Sequence, residues 1–162
     1  MEKMTLSIEG MTLIKQFEGC KLTAYKPVST ERYWTIGYGH YGPDVKKGQH
    51  ITETEAERMF RNDIKPVEAL LNQMGINFRQ QQFDALVSWI YNLGAANFNN
   101  STMKKFIKAN AADIDITDQM VKWVRSGGKP LLGLKRRRVA EANHWLSRQA
   151  YSIDKDGNII RL

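Results

Sequence analysis

A single cysteine, Cys20, stands among 162 residues, so no internal disulfide can form and folding needs no oxidising compartment. The expected state of that thiol is a small apolar side chain packed inside the protein, ahead of a reactive group. Long hydrophobic runs are also missing. The stretch MEKMTLSIEGMTLIKQFEG is interrupted by Glu9, Lys15, Gln16 and Glu18, so it reads as an amphipathic helix and neither a signal peptide nor a membrane anchor. If the target lies outside the cytoplasm, another factor must let the protein through. Repeats, low-complexity segments, zinc-ligand spacings and Gly-rich phosphate loops are absent. The tract Asp154-Lys155-Asp156-Gly157-Asn158 lacks the later glutamate of a calcium loop and reads as a turn. No metal and no cofactor are expected.

What is present is ordinary for a globular chain: 42% hydrophobic and 25% charged residues, enough for one domain with a core. The formal charge of +7 favours an anionic partner, either nucleic acid, a membrane surface or a carboxylate-bearing polymer. Most basic residues are scattered, as on a solvated face. The one dense run, Lys135-Arg136-Arg137-Arg138, falls on an expected helix. Without a nucleic-acid motif beside it, charge alone leaves nucleic acid and polymer both open, and the motifs described below count against nucleic acid; membrane insertion is not expected, and the chain is expected to be a monomer.

Along the chain, Ser7 is a suitable N-cap and Gly19 a suitable stop for a helix over 7–19. Gly37, Gly39, Gly42 and Gly48 punctuate β-prone runs, predicting a small antiparallel sheet lobe over about 20–51. Thr52-Glu53-Thr54-Glu55 is a capping box opening a connecting helix over about 52–74, which Pro66 should kink or break. Phe83, Leu86, Val87, Ile90 and Leu93 form a helical stripe ended by Gly94. Further helices are expected near 101–109, 117–126 and 134–149, completing a helical lobe over about 80–149. A short tail, 150–162, follows as extended pieces around a turn. The whole reads as one α+β domain, and a cleft between sheet and helices is the expected binding place.

Glu18 is informative by position. It lies four residues after Ile14 and seven after Met11, on the apolar face and in the last turn of the first helix. Desolvation and the negative end of the helix dipole both favour its protonated form, as proton donation near neutral pH requires. A core carboxylate satisfied by a basic partner fits the spacing equally well. Asp63, three residues after Phe60 and four from both Met59 and Val67, falls on the buried stripe of its helix and needs a partner. Arg138, four after Leu134 and seven before Trp145, also faces inward and should meet an acid, with Glu18 one candidate and Lys135 a competitor for it. Trp34, Trp89, Trp123 and Trp145 could offer ring faces to a ligand, but three of them lie on helical stripes and are expected in the core.

Glu18-Gly19, Leu22, Ala24-Tyr25 and Thr35-Ile36-Gly37-Tyr38-Gly39-His40 resemble the signature of glycoside hydrolase family 24, the phage-type muramidases. The resemblance continues through Ile51-Thr52, Glu55-Ala56-Glu57 and Asp63, through Gln82–Ser88 with Asn92-Leu93-Gly94, and through Asn99–Thr102. It ends at Gly128-Lys129, Gly133-Leu134, Arg136–Arg138 and Ala140-Glu141. It implies a lysozyme-like α+β fold and an enzyme, a lysozyme that hydrolyses the β-1,4 bond between N-acetylmuramic acid and N-acetylglucosamine in peptidoglycan. It assigns the general acid to Glu18 and the water-positioning hydroxyl to Thr35. It sets His40 against Asp63 as a structural pair, and it makes Tyr38 and Asn92 candidates for contacting glycan.

One departure stands out. The family's second carboxylate should lie nine residues after the glutamate, here Pro27, or six before the threonine, here Ser29. The loop is two residues longer, and neither residue can serve. Glu31 is the only carboxylate within Lys26–Trp34; it either takes that role or is a solvated turn residue, and Asp44 is a poorer substitute. Two other readings stay open. One is a lytic transglycosylase-like reaction needing a single glutamate. The other is a glycan-binding module without chemistry.

Overall fold

A computed structural model describes residues 2–162, and they divide into two compact units: Ile14–Pro66, and the residues through Leu13 together with Val67–Leu162. Two helices pass through both units. Helix α1 spans Ile8–Glu18. Its first turn is capped by Ser7, whose hydroxyl accepts the Gly10 N–H at 3.0 Å, and Gly19 at φ +64° ends it in the left-handed conformation that only glycine adopts freely. Helix α2 spans Glu53–Asn72. The Thr52 hydroxyl accepts the Glu55 N–H at 3.1 Å and lies 3.2 Å from the Glu55 carboxylate, which fixes the helix start. Pro66 does not break α2, which continues through it; one lost N–H donor is tolerated because the turns on either side keep their own bonds.

In the Ile14–Pro66 unit, strands β1 (Lys21–Tyr25), β2 (Trp34–Gly37) and β3 (His40–Gly42) form an antiparallel sheet in that order. The β2–β3 turn needs positive φ at Gly37 (+67°) and Gly39 (+86°), hence the two glycines. Ala24, Ile36, Val45, Ile51 and Ala56 make the core, with Leu22, Trp34, Tyr38 and Met59 packed around them. Phe60 and Ile64, one turn apart on α2, are 1% and 3% exposed.

The larger unit is mostly helical: α3 (Gln80–Leu93), α4 (Ala95–Asn99), α5 (Thr102–Lys108), α6 (Asp113–Met120) and α7 (Leu132–Leu146). Strands β4 (Arg125–Ser126) and β5 (Lys129–Pro130) make one hairpin, β6 (Tyr151–Ile153) and β7 (Ile159–Arg161) another. Its core centres on Trp89, whose ring meets Phe98 at 6.3 Å and Trp123 at 5.2 Å, both edge-on. The helix expected over 117–126 lies earlier, because Asp113 and Asp115 place favourable negative charge in its first turn. Beyond Met120 the chain leaves helix to form the β4–β5 hairpin. Trp123 therefore sits off any helix and is only half-buried, while Trp89 and Trp145 are in the core.

Asp84, 1% exposed, ties the N-terminus of α1 to α3 and α7. It accepts from the Ser7 N–H at 3.1 Å, from the Ser7 hydroxyl, from Gln80 at 2.9 Å and from His144 at 3.2 Å. Burial opposes its charge, but the hydrogen bonds from His144, Ser7 and Gln80 outweigh it and hold the carboxyl below the usual range. Gly10 is required beside it. A Cβ there would lie 2.5 Å from Leu6 and 2.6 Å from the Asp84 carboxyl carbon.

Candidate active site

Glu18 is the last residue of α1 and is half-buried. The chain reverses at Gly19 into β1, and strand register then does the placing. Tyr25 of β1 stands opposite Thr35 of β2, and Tyr41 of β3 stands opposite Thr35 on the other side. Residues directly opposite in antiparallel strands share a face, so Tyr25, Thr35 and Tyr41 form a row across the sheet with Thr35 in the middle. Ile36 and its partner His40 lie on the other face, toward the core. Thr35 is 7% exposed, whereas Tyr41 is 48% exposed.

The lengthened loop, 26–33, is held by its own side chains. The Lys26 ammonium lies 5.2 Å from the Trp34 ring centre, and the Arg32 guanidinium 5.2 Å from that of Tyr33. Tyr33 in turn meets Tyr41 at 5.4 Å, and its N–H donates to the Tyr41 hydroxyl at 3.3 Å. Such cation–π and ring contacts give a loop without regular structure a preferred conformation. Within it the Glu31 N–H donates to the Val28 carbonyl at 3.0 Å, and Glu31 is half-buried rather than fully solvated. Burial raises the Tyr25 phenol above its ordinary range, and the nearby Glu18 and Glu31 carboxylates push it further. Tyr25 itself stands opposite Thr35 in the strand pairing.

Tyr38 packs on Phe60 at 5.6 Å, with the Lys15 ammonium 4.9 Å from its ring centre and Lys15 also paired to Glu57. Burial raises its phenol, and the adjacent Cys20, which hydrogen-bonds it, and then Glu57 and Glu53 add to the effect. Cys20 corrects the expectation of a buried thiol. It is exposed, since it follows the helix stop at a chain reversal rather than lying on the apolar face of α1.

His40 lies between two carboxylates. Its Nδ1 is 2.8 Å from Asp63 Oδ2 and its Nε2 is 2.8 Å from Asp44 Oδ2. An imidazole has one N–H when neutral and two when charged, so both bonds are fully made only by the imidazolium. Burial lowers the affinity of His40 for its second proton, but the Asp44 and Asp63 bonds win and raise it above the ordinary value. Asp44, which sequence reasoning weighed only as a poor catalytic substitute, is held below its usual range chiefly by His40. The signs set a stability window. A raised His40 contributes fully below about pH 6.5, its unfolded value, and the contribution is lost as pH rises through the higher folded value. A lowered Asp44 contributes above its unfolded value and is lost in acid. Asp63→Asn is expected to bring the His40 titration back toward the ordinary histidine value and to cost about 2 kcal/mol, as for a hydrogen bond to a charged group. An NMR titration of His40 unmoved by Asp63→Asn would refute this account.

In the helical unit the dense basic run is largely internal. Arg137 and Arg138 are 3% and 0% exposed, and Lys135 donates to the Gly157 carbonyl, leaving Arg136 as the exposed member. The acid on Arg138 is Glu141, three residues along the same helix and 0% exposed. Arg138 Nε and Glu141 Oε1 are 2.7 Å apart in a charge contact outside hydrogen-bonding direction, while Arg138 Nη2 donates to Oε2 at 3.0 Å. Ser88 donates to the same Oε2 at 2.5 Å, and Arg137 Nε lies 3.3 Å from it. Burial lowers the Arg138 guanidinium, and Glu141 counters it. Asn92 is held here too: its side-chain carbonyl accepts from Arg138 at 2.8 Å.

Glu18, Glu31, Thr35, Tyr38, His40 and Asp63 thus fall in the sheet unit, and Asn92 in the helical one. Sequence reasoning missed Tyr25, Asp44 as a His40 partner, and Glu141 as the acid of Arg138. Spacing carried a signal for the last two, at i+4 and i+3, but the strand pairing that brings Tyr25 to Thr35 leaves no trace in local pattern. Among the described residues no cluster of three or more His, Cys, Asp or Glu is arranged to hold a metal ion, and no helix is long and apolar enough to cross a membrane.

The comparisons with known proteins agree with this architecture. An endolysin of Bacillus phage B103 is 39% identical over 154 residues, covering 94% of this chain and 58% of the relative. This chain spans a little over half the length of the first curated relatives it matches. Among solved structures, an endolysin from Escherichia coli O157:H7 phage FAHEc1 is 35% identical with a TM-score of 0.79, over 90% of this chain and 95% of that one. The muramidase domain of SpmX from Asticaccaulis excentricus is 30% identical with the same TM-score, over 88% and 97% of the two chains. The family model described as phage lysozyme matches residues 15–141, and the chain belongs to that family.

Proposed function

We propose that this chain is a peptidoglycan hydrolase that cleaves the β-1,4 bond between N-acetylmuramic acid and N-acetylglucosamine. Supporting the reading is Glu18 as the last residue of α1, where the chain turns into the sheet whose middle strand carries Thr35. Glu18 protonates the glycosidic oxygen as the bond breaks. A water held by the Thr35 hydroxyl and activated by Glu31 attacks the anomeric carbon. Its proton passes to Glu31, and the leaving sugar departs with the proton from Glu18. An inverting enzyme of this kind needs roughly 6.5–9.5 Å between its carboxyls to admit the water. Tyr38 in the sheet unit and Asn92 in the helical unit are proposed to hydrogen-bond the sugars. Endolysin relatives support action on the bacterial wall. Synthesis in the host cytoplasm, passage by a separate release factor, a monomeric state and the lack of a nucleic-acid partner belong to the same proposal.

The product tests the chemistry. Water attack leaves a reducing N-acetylmuramic acid, while attack by the substrate's own 6-hydroxyl would leave a 1,6-anhydro sugar lighter by one water. Mass spectrometry of digested cell walls is expected to give the hydrated product, and an anhydro product would overturn hydrolysis. Glu31→Gln is expected to cut the rate more than about tenfold, or 1.4 kcal/mol of barrier. A variant with unchanged rate would return Glu31 to the role of a turn residue.

A further inference from the structure

We propose that Arg138 is a positioning residue for substrate: it locks the Asn92 amide so that its NH2 group is a fixed donor, and that donor reads an N-acetyl carbonyl oxygen of the glycan. The inference rests on the assignment of Asn92 to glycan binding above and adds what fixes this side chain and what it selects. Asn92 lies one residue before the end of α3 and is half-buried. Its side-chain carbonyl accepts from Arg138 Nη2 at 2.8 Å. A guanidinium has five N–H donors and no acceptor, so the amide cannot turn over without setting donor against donor. Its oxygen stays on Arg138 and its nitrogen stays on the side away from the guanidinium. Among the described residues that nitrogen makes no hydrogen bond to the protein, which leaves it for a ligand.

The guanidinium itself has no room to turn. Arg138 is wholly buried. Its Nη2 also donates to Glu141 Oε2 at 3.0 Å, its Nη1 donates to the Trp123 carbonyl at 3.4 Å, and its Nε lies 2.7 Å from Glu141 Oε1. Glu141 is held in turn by the Ser88 hydroxyl of α3. Asn92 is thus oriented by a network that joins α3, α7 and the segment at Trp123. A donor fixed in this way discriminates among sugar groups by their hydrogen-bonding capacity. Hydroxyls both donate and accept, so they adapt to either end of an amide. An N-acetyl carbonyl only accepts and matches the fixed donor. The ammonium left when the acetyl group is removed only donates, and it would leave the Asn92 NH2 group unpaired, which costs a site binding strength.

Asn92→Asp keeps the shape and an oxygen for Arg138, and it puts an acceptor where the NH2 group stood. On N-acetylated cell walls it is expected to raise KM tenfold or more with kcat within threefold, and Asn92→Ala should raise KM as far. On chemically de-N-acetylated walls the order reverses. There Asn92→Asp, whose carboxylate accepts from the sugar ammonium, should have a lower KM than the unaltered protein, while Asn92→Ala should match the unaltered protein within twofold. Arg138→Lys keeps the charge but loses the planar fork; its KM should rise on N-acetylated walls, and adding Asn92→Ala should raise it no further. Thermal denaturation of each variant keeps a folding defect separate, and if Arg138→Lys does not fold, the Asn92→Asp reversal decides. If Asn92→Ala raises KM while Asn92→Asp does not, if the reversal is absent, or if the Arg138 and Asn92 effects multiply, the positioning role is overturned and Asn92 remains a glycan contact without it. If Asn92→Ala leaves KM unchanged on both walls, the assignment of Asn92 fails and this inference falls with it, while hydrolysis by the unaltered protein stands.

Discussion

Glu18→Gln is expected to abolish lysis, with a rate at least 100-fold below that of the unaltered protein and folding nearly intact. A positioned general acid contributes about 10²–10⁴-fold, and glutamine retains the shape of glutamate without the transferable proton. Folding should survive because Glu18 closes a helix whose end is secured by Gly19, and because the core of the sheet unit is built by Ile36, Ile51, Ala56 and their neighbours. Removing a negative charge from the C-terminal end of a helix is also mildly favourable. Loss of turbidity in a suspension of cell walls measures the rate, and far-UV circular dichroism measures the fold. A variant that keeps a tenth of the original rate would remove Glu18 from the role of acid.

The largest loss of stability is expected from Glu141→Ala. Its carboxylate is wholly buried and is the acid against Arg138, itself wholly buried. Breaking such a pair from one side leaves a charge that water cannot reach, and that costs about 3–5 kcal/mol. Against a total stability of roughly 5–15 kcal/mol, the melting temperature of a chain this size should fall by on the order of 10 °C. Ser88 also loses its acceptor, and the Arg138 grip on Asn92 should loosen, so any residual activity should show a raised KM. Arg136→Ala, at the exposed member of the same basic run, is the control and should shift melting by less than about 2 °C. Equal shifts for the two variants would mean that the buried network contributes nothing beyond helix propensity.

Legibility in the sequence followed the range of the interaction. Ser7, Gly19, Thr52 and Gly94 marked helix ends because caps and stops are settled within a few residues. The stripe Phe83–Leu93 marked α3 because amphipathic spacing is local. The same local reasoning misplaced α6 and put Trp123 on a helix, since the weak pattern over 117–126 competes with a hairpin whose Gly127 and Gly128 both take positive φ. It also put Cys20 inside, although a residue just past a helix stop has left the face that the helix buries.

By itself, then, the sequence determined the ends of α1, α2 and α3, the apolar stripe of α3, the inward turn of Arg138 and the residues matching a family motif, all of which depend on spacing along the chain. Tertiary structure decided which charges meet. Glu141 rather than a distant acid occupies Arg138, His40 takes Asp44 as well as Asp63, and Tyr25 comes to Thr35 through strand register. The physical reason is that a buried charge or a paired strand is settled by whichever group folding brings within about 3 Å, and many spacings along a chain are compatible with that distance.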